Sequence, residues 1–352
     1  MRWEYVIAFV VALFVTYALT PLVSKLAVRV GAVDRPDARR IHHGVIPRLG
    51  GVAIFIGFII SSVAVNIHSL SSLAGLLIGS LVLVAVGIWD DVCQIGPKTK
   101  LLGQIVAALI LVGFGDRIDY ISLPGGHMVY LEYLAIPLTV FWIVGFTNIV
   151  NLIDGLDGLA AGISLIACVA IFVVLAQMGL VELACVTLAL AGAACGFLRY
   201  NFNPAKIFMG DTGSMLLGYT MASISVIGAV KTAATVALVV PVIVLGLPIL
   251  DTLFAIIRRK INGRPVFKPD KGHVHHRLLA IGLSQKSAVL LMYAMTAFLG
   301  CIAVVVVKLN SWLAGAIVVA AVLCVFVWIA MRIGVIAKDQ VIDKKQTLGK
   351  QK

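Results

Sequence analysis

Long apolar stretches alternate along the chain with short breaks that are polar, charged or rich in glycine and proline. A helix that crosses a bilayer needs about 20 predominantly apolar residues, and stretches of this kind are typical of such helices. The predicted spans cover residues 5–23, 49–66, 70–89, 101–115, 131–147, 159–177, 181–198, 214–230, 233–250, 287–307 and 312–331. The pattern therefore predicts an all-α polytopic integral membrane protein with about 11 transmembrane helices.

The composition agrees with this prediction, because 61% of the 352 residues are hydrophobic, 12% are charged and the mean hydropathy is +1.08. Soluble domains carry about 25% charged residues. The breaks between the spans leave no room for a large soluble domain. We predict one membrane-embedded domain over residues 1–337, whose cytoplasmic loops carry the functional site, and a polar cytoplasmic tail over residues 338–352.

Lysine and arginine are concentrated on one side of the predicted membrane. Alternate breaks on that side hold 24 of them, and the opposite side holds 4. Cytoplasmic loops retain positive charge, so we expect the N-terminus outside and the C-terminus in the cytoplasm. The same bias produces the net charge of +12, so membrane lipid is an expected partner and nucleic acid is not. No cysteine pair has C-x-x-C spacing, so neither disulfides nor cysteine-bound metals are expected.

Carboxylates cluster on the same predicted side, which holds eleven of the sixteen acidic residues. Asp90 and Asp91 directly follow a span, Asp154 and Asp157 lie between two spans, and Asp211 precedes another. Buried like charges repel each other, so a divalent cation or a cationic partner most easily holds such a cluster. The alternative is a set of independent, solvated acids at helix ends.

Two segments add polar groups to this side. Amide or carboxylate side chains recur every third residue from 148 to 157, which would place neighbouring pairs on one face of a helix. Residues 201–214 form a glycine-punctuated loop that enters a span. We expect the N–H groups of that helix to receive phosphate oxygens, Lys206 to add charge, Asp211 to offer a hard oxygen to Mg²⁺ and Phe208 to stack on a base.

The longest cytoplasmic loop contains the compact run H-V-H-H-R at residues 273–277. In a helix, His273 and His276 would share a face suited to diphosphate oxygens or to a proton. Zinc is a weaker alternative, because no cysteine or further ligand set accompanies the histidines. In the first cytoplasmic loop, residues 47–51 are typical of a tight turn that contains Arg48, with His42 and His43 before it.

Four motifs occur in order: W-D-D at 89–91, N-x-x-N-L-I-D-G-L-D-G-L-A at 148–160, N-P-A-K-I-F-M-G-D-T-G-S at 203–214 and H-V-H-H-R at 273–277. Together they resemble the polyprenyl-phosphate N-acetylhexosamine-1-phosphate transferases over residues 48–279. The run at 269–278 is similar to the bacterial undecaprenyl-phosphate GlcNAc-1-phosphate transferases that initiate teichoic-acid linkage, O-antigen or similar glycans.

The resemblance implies a bacterial plasma-membrane enzyme with a cytoplasmic active site. It would move GlcNAc-1-phosphate from UDP-GlcNAc to undecaprenyl phosphate, release UMP and use Mg²⁺, with Mn²⁺ as the alternative ion. A homodimer is left open. The implied catalytic residues are Asp90, Asp91, Asp154, Asp157, His273, His275 and His276. The implied substrate-binding residues are Arg48, Asn148, Asn151, Asn201, Lys206, Phe208 and Arg277, and the implied metal ligands are Asp211 and Asp91.

The lipid phosphate hardly needs a general base, because a phosphate monoester loses its second proton near pH 6. We therefore expect Asp90 and Asp91 to position groups and organise the metal, with proton removal as the family-based alternative. A covalent aspartyl intermediate also stays open. Transfer of a phospho-MurNAc-pentapeptide is the alternative reaction.

Two further classes compete with these transferases. A secondary transporter would place its site near the bilayer midplane, whereas these acids cluster at helix ends. A CDP-alcohol phosphotransferase would require arginine where this chain has Gly162.

Overall fold

The computed structural model describes residues 2–34, 45–122, 127–232, 236–261, 263 and 272–309, with isolated positions 318, 320, 321, 324 and 327. In these ranges the helices are α1 Trp3–Val30, α2 Gly50–Val65, α3 Ala74–Cys93, α4 Pro97–Gly113, α5 Ala135–Leu152, α6 Leu159–Gln177, α7 Val181–Asn201, α8 Gly210–Thr232, α9 Val236–Val244, α10 Gly246–Ile261, α11 Val274–Ala280 and α12 Gln285–Lys308. Short 3-10 helices cover Leu70–Leu73 and Glu132–Leu134.

Two antiparallel ribbons complete the described structure. Strands β1 Val33–Asp34 and β2 Ile46–Pro47 pair at one end of the bundle, and β3 Tyr120–Ser122 pairs with β4 Met128–Tyr130. The protein is thus an α-helical polytopic membrane protein, as predicted.

Seven helices are long and apolar enough to cross a membrane, or eight if α9 and α10 form one bent span. Helix α2 has 16 residues and α4 has 17, so both are shorter than those seven. The predicted span 312–331 lies outside the described residues apart from isolated positions, as does the predicted tail 338–352. The count of eleven and the domain boundary at 337 stay predictions.

The predicted ninth span, 233–250, is not a straight helix. Helices α9 and α10 meet at an angle of 71°, and α10 continues to Ile261 through residues predicted to be loop. Pro248 lies just after the bend and lacks the N–H that would bond the carbonyl group of Val244. This bend turns the end of α10 towards α11.

Helix α8 lies at the centre of the bundle and is buried almost throughout, with α3, α5 and α2 packed around it. The fully buried Tyr219 hydroxyl donates to the carbonyl oxygens of Gly75 and Ala107, at 3.3 and 3.4 Å, which ties α8 to α3 and α4. At Gly87, α3 and α8 approach each other so closely that a Cβ atom on this glycine would collide with the Thr212 backbone. This contact places the end of α3 beside the start of α8.

Candidate active site

Three carboxylates meet where α3 ends and α8 begins. Asp90 and Asp91 are buried in the last turn of α3, and Asp211 is partly buried in the first turn of α8. One carboxylate oxygen from each lies within 4.8 Å of the others, close enough for a single cation to contact all three. Because like charges at this distance repel, the cluster needs a positive partner.

Lys100, in the first turn of α4, supplies positive charge to this cluster. Its Nζ lies 2.8 Å from Asp90 Oδ2 and 2.6 Å from Asp211 Oδ2, so one ammonium group bridges two of the acids. Lys100 was not predicted as a site residue, and Lys98 in the same turn shows that a lysine at this place in the sequence is not a specific signal.

The oxygens of Asp91, in contrast to those of Asp90, are engaged by α8. Asp91 Oδ1 accepts from the N–H of Asp211 at 3.0 Å, and Oδ2 accepts from the N–H and the hydroxyl group of Thr212 at 3.1 and 2.6 Å. The expectation that these two N–H groups receive phosphate is therefore wrong, because Asp91 occupies them. Asp91 anchors the positive end of α8, which leaves Asp90 and Asp211 with more capacity to bind a cation.

Arg48 lies on the other side of Asp91. Its Nη2 is 3.5 Å from Asp91 Oδ1, and its Nη1 is 3.8 Å from Asp34 Oδ1. The backbone around Arg48 pairs with the 201–214 loop: the N–H of Phe208 donates to the carbonyl oxygen of Pro47 at 2.8 Å, and the N–H of Gly50 donates to that of Phe208 at 3.0 Å. This pairing fixes Phe208, which is half-buried, next to the start of α8.

The helical face predicted over residues 148–157 does not exist as such, because α5 ends at Leu152. Asp157 lies in a turn, and its Oδ2 accepts from Asn203 Nδ2 and from the N–H of Ala205, both at 3.0 Å. Asn201 accepts from the N–H of Gly158 at 3.0 Å and donates to the carbonyl oxygen of Ile207 at 2.9 Å. Both residues therefore hold the two loops together.

Asp154 is the predicted acid that stays most open to a ligand. In the part of the chain that the structure describes, its carboxylate accepts no hydrogen bond. Burial raises its pKa to about 7, the charges of Asp211 and Asp91 raise it further, and Arg48 opposes them. A cation bound nearby would strongly favour the charged form of such an acid.

Asn148 and Asn151 lie on α5 and face its neighbours. Asn148 Nδ2 donates to Gln104 Oε1 at 2.8 Å, and Asn151 Nδ2 donates to Ser214 Oγ at 2.8 Å. These contacts join α5 to α4 and α8. Sequence reasoning missed Gln104, which is buried on α4 beyond its polar first turn.

The histidine motif begins at the N-terminus of α11, where His273 precedes the first helical residue. His273 and His276 were expected to share a helical face, but the three histidine rings form a row instead. The ring centroids of His273 and His275 are 5.7 Å apart, and those of His275 and His276 are 4.3 Å apart. A Cβ atom at Gly155 would lie 2.8 Å from His275 Nε2, so this row packs against the Asp154 loop. Burial lowers the pKa of His275 to about 3, with His276 adding to the effect, so its ring is neutral at pH 7.

Two further predicted positions lie in the loop before α8 and on α11. Lys206 is exposed, and its backbone N–H donates to the carbonyl oxygen of Tyr200 at 2.8 Å. Arg277 is partly buried on α11, beyond the histidine row. His42 and His43 lie outside the described residues.

An apolar groove runs along the outer surface between α4 and α5 and encloses about 410 Å³. It is lined by Leu101, Ile105, Leu109, Ile136, Pro137, Val140, Phe141 and Val144. Leu101 directly follows Lys100, so one end of the groove lies beside the acidic cluster. The α4 wall, from Leu101 to Leu109, is about 12 Å long at the usual helical rise.

Comparison with known proteins agrees with the motifs. Residues 73–229 match the sequence model of the family described as Glycosyl transferase family 4. The chain is 43% identical over 309 residues to a probable undecaprenyl-phosphate N-acetylglucosaminyl 1-phosphate transferase of Bacillus subtilis. These residues cover 88% of this chain and 86% of the relative.

Two more distant relatives extend the comparison. A decaprenyl-phosphate N-acetylglucosaminephosphotransferase of Mycolicibacterium smegmatis is 40% identical, over 80% of this chain and 77% of its own. The undecaprenyl-phosphate alpha-N-acetylglucosaminyl 1-phosphate transferase of Escherichia coli K12 is 29% identical, over 80% of this chain and 78% of its own. The chain therefore belongs to glycosyl transferase family 4 and, within it, to the polyprenyl-phosphate N-acetylhexosamine-1-phosphate transferases.

Proposed function

We propose that the protein transfers GlcNAc-1-phosphate from UDP-GlcNAc to undecaprenyl phosphate at the cytoplasmic face of a bacterial plasma membrane and releases UMP. The observation that carries this proposal is the cluster formed by Asp90, Asp211 and Lys100, because Lys100 directly precedes Leu101 in the wall of an apolar groove on the outer surface of the bundle. Such a place suits a reaction between a lipid-borne phosphate and a water-soluble donor. The names of the relatives support the transferred group and the polyprenyl-phosphate acceptor.

The residues of the cluster fit Mg²⁺. Carboxylate oxygens are the hard ligands that this ion takes, usually one or two per site together with water and substrate phosphates. Asp211 and Asp90 would hold the ion, and Asp91 Oδ1, which accepts one N–H from α8, is the third oxygen available to it. When bound, the ion neutralises negative charge on the reacting phosphates. The Lys100 ammonium group already occupies the position of a cation between the same two carboxylates.

The groove between α4 and α5 suits the isoprenoid chain of the acceptor. Every side chain that lines it is apolar, and burial of apolar surface contributes roughly 25 cal/mol per Å². A chain in the groove brings its phosphate to the end marked by Leu101 and hence to Lys100. Lys100 can then direct its N–H donors to the lipid phosphate and balance part of its charge.

The donor suits the opposite side of the cluster. Phe208 lies at the start of α8, where its ring can stack on uracil, and Asp154 offers a carboxylate that the described structure leaves unpaired. The histidine row lies against the same loop at Gly155. Together these groups enclose a nucleotide diphosphate-sugar with its diphosphate between α8 and α11.

The reaction then balances without a protein-derived intermediate. An oxygen of the lipid phosphate attacks the sugar-bound phosphorus of UDP-GlcNAc, a new diphosphate bond forms, and the bond to the bridging oxygen of UMP breaks with its electron pair leaving on UMP. Because the attacking phosphate is mostly a dianion at pH 7, Asp90 has no proton to remove. Charge balance and alignment are the main requirements of phosphoryl transfer.

Purified protein in lipid nanodiscs tests this proposal. With undecaprenyl phosphate and Mg²⁺ present, we expect UMP release from UDP-GlcNAc to exceed that from UDP-glucose or UDP-MurNAc-pentapeptide by orders of magnitude, because a wrong sugar leaves buried polar groups unpaired. The Asp119→Asn variant is the matched control, since Asp119 is paired with Arg117 on the surface. Preferred use of the pentapeptide donor would reassign the reaction. Uptake of UDP-GlcNAc into vesicles without UMP release would favour a transporter.

A further inference from the structure

Helix α10 delivers a second buried carboxylate to the histidine row. Asp251 is 2% exposed, lies beyond the 71° bend and belongs to none of the four motifs. Its Oδ2 is 3.1 Å from His273 Nδ1, and its Oδ1 accepts from the N–H of Val274 at 2.9 Å. One side chain therefore fixes both the first turn of α11 and the His273 ring.

The contact determines where the His273 ring carries its proton. A carboxylate only accepts hydrogen bonds, so Nδ1 must be the donor. Nε2 is then the nitrogen that can serve a ligand, and it has no partner among the described residues. A proton added at Nε2 makes the ring a cation whose charge Asp251 balances at 3.1 Å.

The neighbouring ring also carries a nitrogen that could serve a ligand. His275 is 2% exposed, and its Nδ1 has no hydrogen-bond partner in the part of the chain described. Buried polar atoms are normally paired, so an unpaired nitrogen on a ring that packs against the Asp154 loop marks a place for a ligand. The His273 and His275 rings are nearly parallel, with 6° between their planes, which gives the row one common orientation.

We propose that Asp251 is a positioning residue that accepts a hydrogen bond from His273 Nδ1 and balances the charge of the doubly protonated ring, whose Nε2–H donates to a diphosphate oxygen of the nucleotide-sugar. This inference rests on the proposed function for the identity of the ligand. Asp251 itself does not contact the donor and acts through His273.

The Asp251→Asn variant separates this role from a structural one. The asparagine Oδ1 can still accept from the fixed N–H of Val274, which turns its Nδ2 donor towards His273. The ring then has to release its Nδ1 proton and carry it on Nε2 instead. It keeps a neutral donor but loses the charge-assisted one, which is roughly twice as strong. We expect kcat/KM for UDP-GlcNAc to fall about tenfold or more.

The ring tautomer is read directly from the ¹⁵N spectrum of histidine-labelled protein in nanodiscs without donor, with His273 assigned by its loss in His273→Gln. We expect protonated Nδ1 in the wild type and in the Asp119→Asn control, and unprotonated Nδ1 in Asp251→Asn. An unprotonated Nδ1 in the wild type, or no change in Asp251→Asn, would overturn the proposal. This readout needs no turnover, so it stands even if UDP-GlcNAc is not the donor.

A double-mutant cycle gives the second readout. If Asp251 acts through His273, the Asp251→Asn change should lower kcat/KM in the wild type but have no further effect in His273→Gln. A loss of the same size in both backgrounds would show that Asp251 only supports the fold, and would refute the positioning role.

Discussion

Asp90 and Asp91 are adjacent in sequence, yet replacing each by asparagine should have different consequences. Asparagine at 91 has one acceptor oxygen where the carboxylate has two, so at least one donor of α8 is left facing an amide NH₂ group. A buried unpaired donor costs about 1–3 kcal/mol, and the remaining bonds lose the extra strength of a charged acceptor. We therefore expect Asp91→Asn to lower the free energy of unfolding by about 3 kcal/mol.

Asp90→Asn removes only one of the two carboxylates that bind Lys100, because Asp211 keeps the ammonium group at 2.6 Å. The Lys100 side chain is 26% exposed and keeps a carboxylate partner, and the substitution also relieves repulsion between the acids. The stability of Asp90→Asn should thus stay within about 1 kcal/mol of the wild type, while its kcat falls sharply.

The two variants can be compared by reversible denaturant unfolding followed by tryptophan fluorescence, with UMP release measured on the same preparations. Equal destabilisation by both changes, or a stable Asp91→Asn protein, would refute the assignment of Asp91 to anchoring α8. Recovery of Asp90→Asn activity as the pH rises from 7 to 9 would point to proton removal instead of positioning.

Three further outcomes are expected. Cys93 is exposed two residues after Asp91. The lysine and arginine distribution predicts that it faces the cytoplasm, so a membrane-impermeant thiol reagent should label it only after cells are opened. Asp211→Asn should nearly abolish UMP release and raise the Mg²⁺ concentration needed for half-maximal activity, because it removes a hard oxygen ligand. Burial raises the folded-state pKa of Asp154 from 3.8 to about 7, so without metal its contribution to stability is present at low pH and is lost as the pH rises towards 7. Unfolding titrations in EDTA should therefore show a decline from pH 5 to 7 that is weaker in Asp154→Asn.

Each of these outcomes has a clear opposite. Labelling of Cys93 in sealed cells would contradict the orientation derived from the lysine and arginine distribution, with Cys93→Ser as the control for specificity. An unchanged Mg²⁺ requirement in Asp211→Asn would remove this residue from the metal site. Parallel pH curves for the wild type and Asp154→Asn would show that Asp154 does not titrate in this range.

The class of the protein can be read from its sequence, and so can the loops that meet at the candidate site. Apolar length alone indicates membrane helices, since a bilayer imposes the same requirement on every span. The lysine and arginine bias grouped the loops that carry Asp90, Asp154, Asp211 and His273, and the structure brings these loops together at one end of the bundle. The motifs also identified the family.

The role of each polar group depends on contacts that only the tertiary structure reveals. Asp90 and Asp91 are alike in sequence, but α8 meets α3 at Gly87 and therefore engages Asp91 alone. Lys100 and Asp251 look like ordinary helix-end charges until folding places them against Asp211 and His273, which are 111 and 22 residues away in sequence. A hydrogen bond forms only when donor and acceptor lie about 3 Å apart, within a few tenths of an ångström. Local sequence pattern carries no information about such distances between groups that are remote in sequence.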